Sequence, residues 1–243
     1  MLALLGAFDA ANRELNLTEL ATRAGLTLST AQRRAAELVS WGALERSGSG
    51  RYRVGLRLWE VGSLAPRGVP LRETALPFLE DLYVVTRENV QLAVREGTEA
   101  VFVERIAGRS AVPVLTRVGG RFALHATGVG LVLLAHAPRE VFDEVVAAGL
   151  TRYTPNTVTD PTRLRQALAE VRRDGYAVSR GAVTEDALSV AAPITDERGA
   201  VVAAVSLVVA LDRARPSALA PVVRTAARGI SRAYAGRAEA PLH

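Results

Sequence analysis

"TLSTAQRRAAELVSWG", Thr27 to Gly42, decides how the front of the chain is read. Leu28, Ala31, Ala35, Leu38 and Val39 recur at helical spacing and predict one apolar stripe. Ser29, Thr30 and Arg33 fall on the opposite face, with Gln32 and Arg34 flanking the stripe. Upstream, Thr18 to Ala24 predicts a short helix with Thr18 as N-cap and Gly25 as its stop. Leu2, Leu5 and Phe8 predict another helix within Met1 to Ala11. A short helix, a glycine turn and a second helix that offers hydroxyls and guanidinium groups is the geometry that enters a DNA major groove.

The residues that follow strengthen this reading. "GALERSGSGRYRVG", Gly42 to Gly55, predicts strands at Ala43 to Arg46 and Arg51 to Val54 around a Ser-Gly-Ser-Gly turn. The element order is that of a winged helix-turn-helix. Ser29, Thr30, Gln32, Arg33 and Arg34 are expected to face base edges and phosphates, and Arg46, Arg51 and Arg53 to line a wing over the backbone or minor groove.

Composition sets the limits. The chain has 243 residues, 49% of them hydrophobic, which suffices for one large or two modest domains. Without Cys there are no disulfides or thiolate sites, and three scattered His make no His-rich metal site, so neither metal nor cofactor is expected. The longest apolar run, Ala200 to Leu211, is too short to span a bilayer, and Met1 is not followed by a basic leader. A cytoplasmic protein without a membrane partner is expected. All 30 basic residues are Arg, which codon bias largely accounts for; their distribution says more. Residues 1 to 70 hold nine Arg against six acids, and the remainder 21 against 19, so the basic excess is densest at the front.

The chain divides near Pro66 to Pro70. Residues 1–58 are read as the winged domain, 59–70 as a linker, 71–237 as a second domain and 238–243 as a tail. "LRLWEVGSLAPRGV", Leu56 to Val69, begins as an amphipathic turn; Leu56, Trp59 and Leu64 belong either to the first domain's core or to a contact with a second subunit. A lone winged helix binds weakly, so a homo-oligomer, dimer or tetramer, on a pseudo-palindromic operator is expected. From Leu71 the pattern is α+β: helices at Leu71 to Thr86, Gly128 to Ala137, after Pro138, at Pro161 to Asp174 with Asp160 as N-cap, and a last one ending near Gly236. Strands are predicted at Val90 to Arg95, Ala100 to Ile106, Val112 to Arg117, Tyr176 to Ser179, Ser189 to Pro193 and Val201 to Ala210. Antiparallel strands with helices outside leave a concavity suited to a small ligand.

The whole chain resembles the IclR-type transcriptional regulators. "LTELATRAGLTLSTAQR" and the wing match the family's first domain. "VGGRFALHATGVGLVLLA" and "DGYAVSRGAVTEDALSVAAPITDERGAVVAAVSLVV" resemble two segments of its second. The resemblance implies a winged helix-turn-helix domain joined by a linker helix to a GAF-like α/β effector-binding domain. It also implies a repressor or activator that binds a double-stranded DNA operator under the control of a small-molecule effector, a repressor being the reading adopted. Carried over residue by residue, it implies a pocket walled by Val114 on its strand, Phe122, Gly128, Val129, Ser179, Ala187, Ser189, Ser206 and Val208. The first turn at Gly128 suits a carboxylate. Arg117 or Arg180 pairs such a carboxylate or makes a surface salt bridge.

The departures from the family shape the expected ligand. Ser179, Arg180, Gly181 and Ala182 replace an acidic run, Asp186 stands where Gly is frequent, and Val129-Gly130-Leu131 replaces a pattern that ends in Gly-Lys. Arg34 sits at a usually apolar position of the recognition helix. A less polar effector, aromatic or medium-chain carboxylate, is therefore expected. Two rivals differ in class. Ser189, His125 and Asp186 are the residues a hydrolase triad would use, but no Ser lies in a strand–GxSxG–helix context, so no catalytic residue is assigned. The other rival is a DNA-binding protein whose second domain only oligomerises.

Overall fold

The computed structural model describes residues 1–9, 11–65, 68–108 and 111–238. Ala10 of the first predicted helix, Pro66 and Arg67 of the linker and the tail from residue 239 lie outside the described residues. The chain forms two units, Met1–Val69 and Pro70–His243.

The first unit runs α1 (Leu2–Leu5), β1 (Glu14–Leu15), α2 (Leu17–Ala24), α3 (Leu28–Trp41), β2 (Leu44–Arg46), β3 (Tyr52–Val54) and α4 (Leu56–Ser63). The glycines after α2 and α3, Gly25 and Gly42, end both helices with positive φ. Leu4, Leu20, Ala31, Ala35, Leu38, Leu44 and Tyr52 make its core. The sheet has three strands, ordered β1-β3-β2, where two were expected. Three local expectations are corrected. α1 is a single turn, and Leu4 is buried while Leu2 is exposed. Leu28 is exposed because it opens α3, before the stripe has a neighbour to cover it. The N-cap of α2 is Asn16, whose Oδ1 accepts the Glu19 N–H at 2.9 Å while Glu19 Oε2 accepts the Asn16 N–H at 2.8 Å. Of the two alternatives for the linker residues, burial in the first domain's core does not hold: Leu56 and Trp59 on α4 and Leu64 just after it are exposed, whereas Leu58 packs on the core.

The second unit runs α5 (Val69–Thr86), β4 (Asn89–Glu96), β5 (Glu99–Ile106), β6 (Arg121–Ala123), α6 (Gly128–Ala135), α7 (Arg139–Ala147) and α8 (Pro161–Asp174). After these come β7 (Ala177–Arg180), β8 (Ala187–Thr195), β9 (Val201–Ala210), a short 3-10 turn and α9 (Pro216–Ala238). Asp160 caps α8, accepting the Arg163 N–H at 2.7 Å. All six strands are antiparallel to their neighbours in the order β6-β5-β4-β9-β8-β7, and bulges at Leu92/Ala93 and Ile194/Thr195 interrupt the ladder. Alternation assigns the two faces. Val90, Leu92, Val94, Val190, Val205 and Leu207 meet Leu71, Leu79, Val223 and Ile230 of α5 and α9. On the other face the strands offer Ala93, Ala191 and Ala204, and these small side chains let the wholly buried α6 lie close. Leu164, Leu168 and Val171 of α8 belong to the same cluster. No described helix is long and apolar enough to cross a membrane.

The predicted strand Val112 to Arg117 is not a strand. The free edge of β5 is taken instead by the following segment: Phe102 N–H donates to Gly120 O at 3.0 Å and Gly119 N–H to Phe102 O at 2.8 Å. Pro113 has no N–H to offer a ladder. Side chains hold the displaced segment: Asn89 Nδ2 donates to Val112 O at 2.8 Å and Gln91 Nε2 to Thr116 Oγ1 at 2.6 Å.

The capping box separates the role of Asn16 from that of Thr18. Asn16→Ala is expected to cost about 1 kcal/mol of stability and Asn16→Ser little, while Thr18→Ala should be near neutral. Chemical denaturation of the three variants checks it.

Candidate functional site

On the first unit, Thr27 Oγ1 caps α3 and Ser29, Gln32 and Arg33 stand exposed along its outer face, with Thr30 and Arg34 half-buried. Arg33 pairs along the helix with Glu37 at 3.0 Å. The wing cations are less free than the sequence suggests. Arg51 donates to Glu14 O at 2.9 Å and to Glu19 Oε2 at 3.0 Å, so it ties β3 to the capping box of α2. Arg53 pairs with Glu45 across the hairpin at 2.7 Å. Hydrogen bonds from Arg53 and from the Leu56 N–H hold the Glu45 carboxyl below the usual carboxylate range. Arg46 faces no acid; its guanidinium lies 5.7 Å from the Tyr52 ring centroid and reaches Gly50 O at 3.4 Å. Sequence reasoning saw the arginines and passed over their partners Glu19, Glu37 and Glu45; i,i+4 helical spacing places Glu37 within reach of Arg33 and cross-strand pairing places Glu45 opposite Arg53, whereas the Glu19–Arg51 pair is long-range and leaves no local signal.

The second unit holds a cavity of about 50 Å³ between the sheet, the start of α6 and the turn at 181–186. One ladder row forms its floor: Ser179 pairs with Ser189, and Ser189 with Val208. Val114, Gly128, Val129, Ser179, Ala187, Ser189 and Val208 are brought together as expected, with Val114 on the irregular segment and not on a strand. Two members are not in the lining. Phe122 sits in the α6-side core, its ring edge-on to Phe102 at 6.1 Å and tilted against Tyr153 at 5.9 Å. Ser206 lies one row deeper, paired with Gln91 and Ala191, fully buried with its hydroxyl unpartnered. The lining adds Gln91, Leu115, Thr116, Ala126, Thr127, Ala182, Val183 and Thr184. Gln91 was findable, since "NVQL" alternates polar and apolar residues within an otherwise apolar strand.

The chemistry of this cavity is set by what surrounds it. None of the lining side chains is charged. Thr127 Oγ1 accepts the Gly130 N–H at 3.0 Å, and the N–H groups of Gly128 and Val129 precede any intrahelical partner. Gly128 is needed there, because a Cβ would stand 2.5 Å from Ser189 Oγ. Arg117 and Arg180 are exposed and outside the lining. The covering turn is held from outside: Thr154 Oγ1 donates to Gly181 O and Thr157 Oγ1 to Ala182 O, each at 2.6 Å. The same loop receives His125, whose Nε2 lies 3.0 Å from Thr151 O. A carbonyl only accepts, so the neutral ring carries its proton on Nε2 and leaves Nδ1 as a buried acceptor without a partner. Ser189 and His125 are not near the arrangement a triad requires, since His125 turns to the Thr151 carbonyl.

Comparison with known proteins agrees with this architecture. Residues 65–232 match the family described as bacterial transcriptional regulator IclR C-terminal, and residues 1–48 match the IclR helix-turn-helix domain. The chain is 34% identical over 231 residues to the HTH-type transcriptional regulator BhcR of Paracoccus denitrificans, covering 93% of this chain and 83% of that protein. It is 32% identical over 194 residues to the HTH-type transcriptional regulator KipR of Bacillus subtilis, covering 79% and 78%. Among solved structures, an IclR homolog from Microbacterium hydrocarbonoxydans complexed with 4-hydroxybenzoate shares 41% identity at a TM-score of 0.90, covering 98% of both chains.

Burial pushes the His125 pKa below its ordinary value of 6.5, against the opposing effect of the hydrogen bond to Thr151. The unfolded chain therefore binds the proton first, and the stability His125 contributes is present above about pH 6.5 and lost as pH falls below it. The melting temperature is expected to drop on acidification through that window and to drop less in His125→Gln; equal slopes in differential scanning calorimetry would refute the assignment.

Proposed function

This chain belongs to the IclR family of bacterial transcriptional regulators, and on that premise we propose that it is a repressor whose hold on a pseudo-palindromic operator is released by a small carboxylate, aromatic in preference. Its named relatives are regulators and not enzymes. The observation that carries the effector reading is the cavity itself: an apolar wall of Val114, Val129, Ala187 and Val208 that ends at the free N–H groups opening α6. A carboxylate is the anion those N–H groups take, with the Ser179 and Ser189 hydroxyls beside them, and a flat ring is the shape the valines accept. The 4-hydroxybenzoate in the Microbacterium hydrocarbonoxydans homolog supports this class.

At about 50 Å³ the cavity is well below the ~300 Å³ at which small-ligand pockets begin. Entry of a ring then requires the turn at 181–186 to lift from the Thr154 and Thr157 hydroxyls, and that displacement is the differential contact through which a ligand shifts the regulator's state. DNA reading is assigned to Ser29, Thr30, Gln32, Arg33 and Arg34, with Arg46 as the wing's freest phosphate contact and Arg51 and Arg53 engaged within the domain. Assembly as a homo-oligomer is part of the proposal. Trp59, 67% exposed on α4 beside Leu56 and Leu64, supplies apolar surface for it.

Fluorescence anisotropy on an operator selected from random duplexes tests both halves. Arg33→Ala should weaken specific binding by about 1–3 kcal/mol, and Arg46→Ala should weaken specific and non-specific DNA alike while reducing the salt slope by about one. Unchanged affinity in both variants would overturn the DNA-reading face.

For the cavity, Val129→Trp and Ser189→Trp should bind operator as the parent does and no longer release it on addition of 4-hydroxybenzoate or of a related carboxylate that releases the parent. Wild-type release by both variants places the ligand elsewhere. Failure of every carboxylate to move the parent favours a second domain that only oligomerises.

A further inference from the structure

Several arginines of this fold are matched by acids, among them Arg23 with Asp9, Arg33 with Glu37, Arg72 with Glu104 and Arg121 with Glu99. On α9 a row of them is not. Arg224, Arg228 and Arg232 occupy successive turns of one helix face, at a rise of ~6 Å per step. Among the described residues Arg224 and Arg232 make no ion pair or hydrogen bond, and Arg228 reaches only Thr225 Oγ1 at 3.3 Å. Like charges at this spacing repel, so the row does not serve the helix.

The three guanidinium groups border a groove of about 410 Å³ between α9 and β8, on the sheet face opposite α6. Its floor is small, made by Gly175, Ala192, Pro193 and Ala227, and no acid lines it. Asp174, beside Gly175, is paired with Arg173 at 2.8 Å. We propose that this groove is a second ligand site, for small anions that carry two or more linked phosphates. Guanidinium forks match phosphate oxygens bidentately, and three of them in a row outnumber what one phosphate engages. The volume is that of a small-ligand site. A protein partner is disfavoured because the lining has no aromatic or large aliphatic socket for an anchoring side chain. For the same reason nothing in the groove stacks on or reads a base, so the phosphate chain is recognised and the nucleoside is not.

Isothermal titration of the full-length protein with sodium tripolyphosphate, ATP, CTP and orthophosphate at low salt tests this. Tripolyphosphate, ATP and CTP are expected to bind within a few-fold of one another and orthophosphate at least about tenfold more weakly. The triple variant R224Q/R228Q/R232Q should lose at least about tenfold in affinity for the linked phosphates, keep operator affinity and melt no lower than the parent, since it removes only repulsion. The DNA-reading face also attracts phosphates, so R33Q/R46Q is titrated in parallel and should retain tripolyphosphate binding. The proposal is overturned by any of three results: no binding to the parent at millimolar concentration, wild-type affinity in the triple variant, or loss of binding in R33Q/R46Q with retention in the triple variant. A tenfold preference between ATP and CTP also overturns it, because the groove offers nothing to make that choice.

Discussion

A helix buried on every side still has to place the first N–H groups of its backbone, and α6 is such a helix. All eight of its residues are buried, so water does not satisfy its amino-terminal donors along its length. The surrounding sequence follows from that constraint. Alanines on β4, β8 and β9 let the helix descend onto the sheet, Thr127 takes one donor, and Gly128 keeps a Cβ from displacing Ser189. The remaining donors open onto the cavity. The anion site proposed for the effector rests on this end of α6, where donors without an intrahelical partner meet the cavity.

The walls of that cavity are irregular backbone, and irregular backbone next to a core needs side-chain partners. Asn89 and Gln91 supply them on one side, bonded to Val112 O and Thr116 Oγ1, and Asn89 is itself held by Arg105 at 2.9 Å. Thr154 and Thr157 supply them on the other. The two walls differ in how they are fixed. Asn89 and Gln91 project from a central strand that cannot move without breaking the sheet, whereas the threonines belong to a loop whose tie to the α6 approach is His125. Motion on ligand entry is therefore expected on the turn and loop side, where few bonds have to break.

What could be read from the residues alone follows the same division. Periodicity revealed α3, the hairpin, β9, α8 and its Asp160 cap, because each is a local pattern with its own stop signal. It failed at Val112 to Arg117, where the alternation is that of a strand but the edge it needs is taken by residues 119 to 123. It failed again at Asn16, since Thr18 is an equally good capping residue and only the backbone direction separates them. Of the residues expected at the pocket, Val114, Gly128, Val129, Ser179, Ala187, Ser189 and Val208 line the cavity; Phe122 and Ser206 do not, because one residue or one row along a strand decides whether a side chain faces the cavity or the core. The threonines of the 151–157 loop carried no signal, as hydroxyls that bond distant carbonyls leave no spacing to detect.

The winged unit shows how pairing within a fold limits what a count of arginines can say. Arg51 and Arg53 must exchange Glu19 and Glu45 for phosphate if they are to touch DNA, so their contribution to binding is the difference between two charge-assisted hydrogen bonds. Arg46 makes no such exchange. Exposed pairs of this kind are screened by salt as phosphate contacts are, so ionic strength weakens both sides of the exchange. The acids also do structural work that phosphate does not replace: Glu19 closes the cap of α2, and Glu45 accepts the Leu56 N–H at 3.4 Å at the start of α4. Charge on the wing is thus largely committed to holding the domain's shape, which is why the proposed reading of DNA gives the discrimination between sequences to the helix face at Ser29 to Arg34.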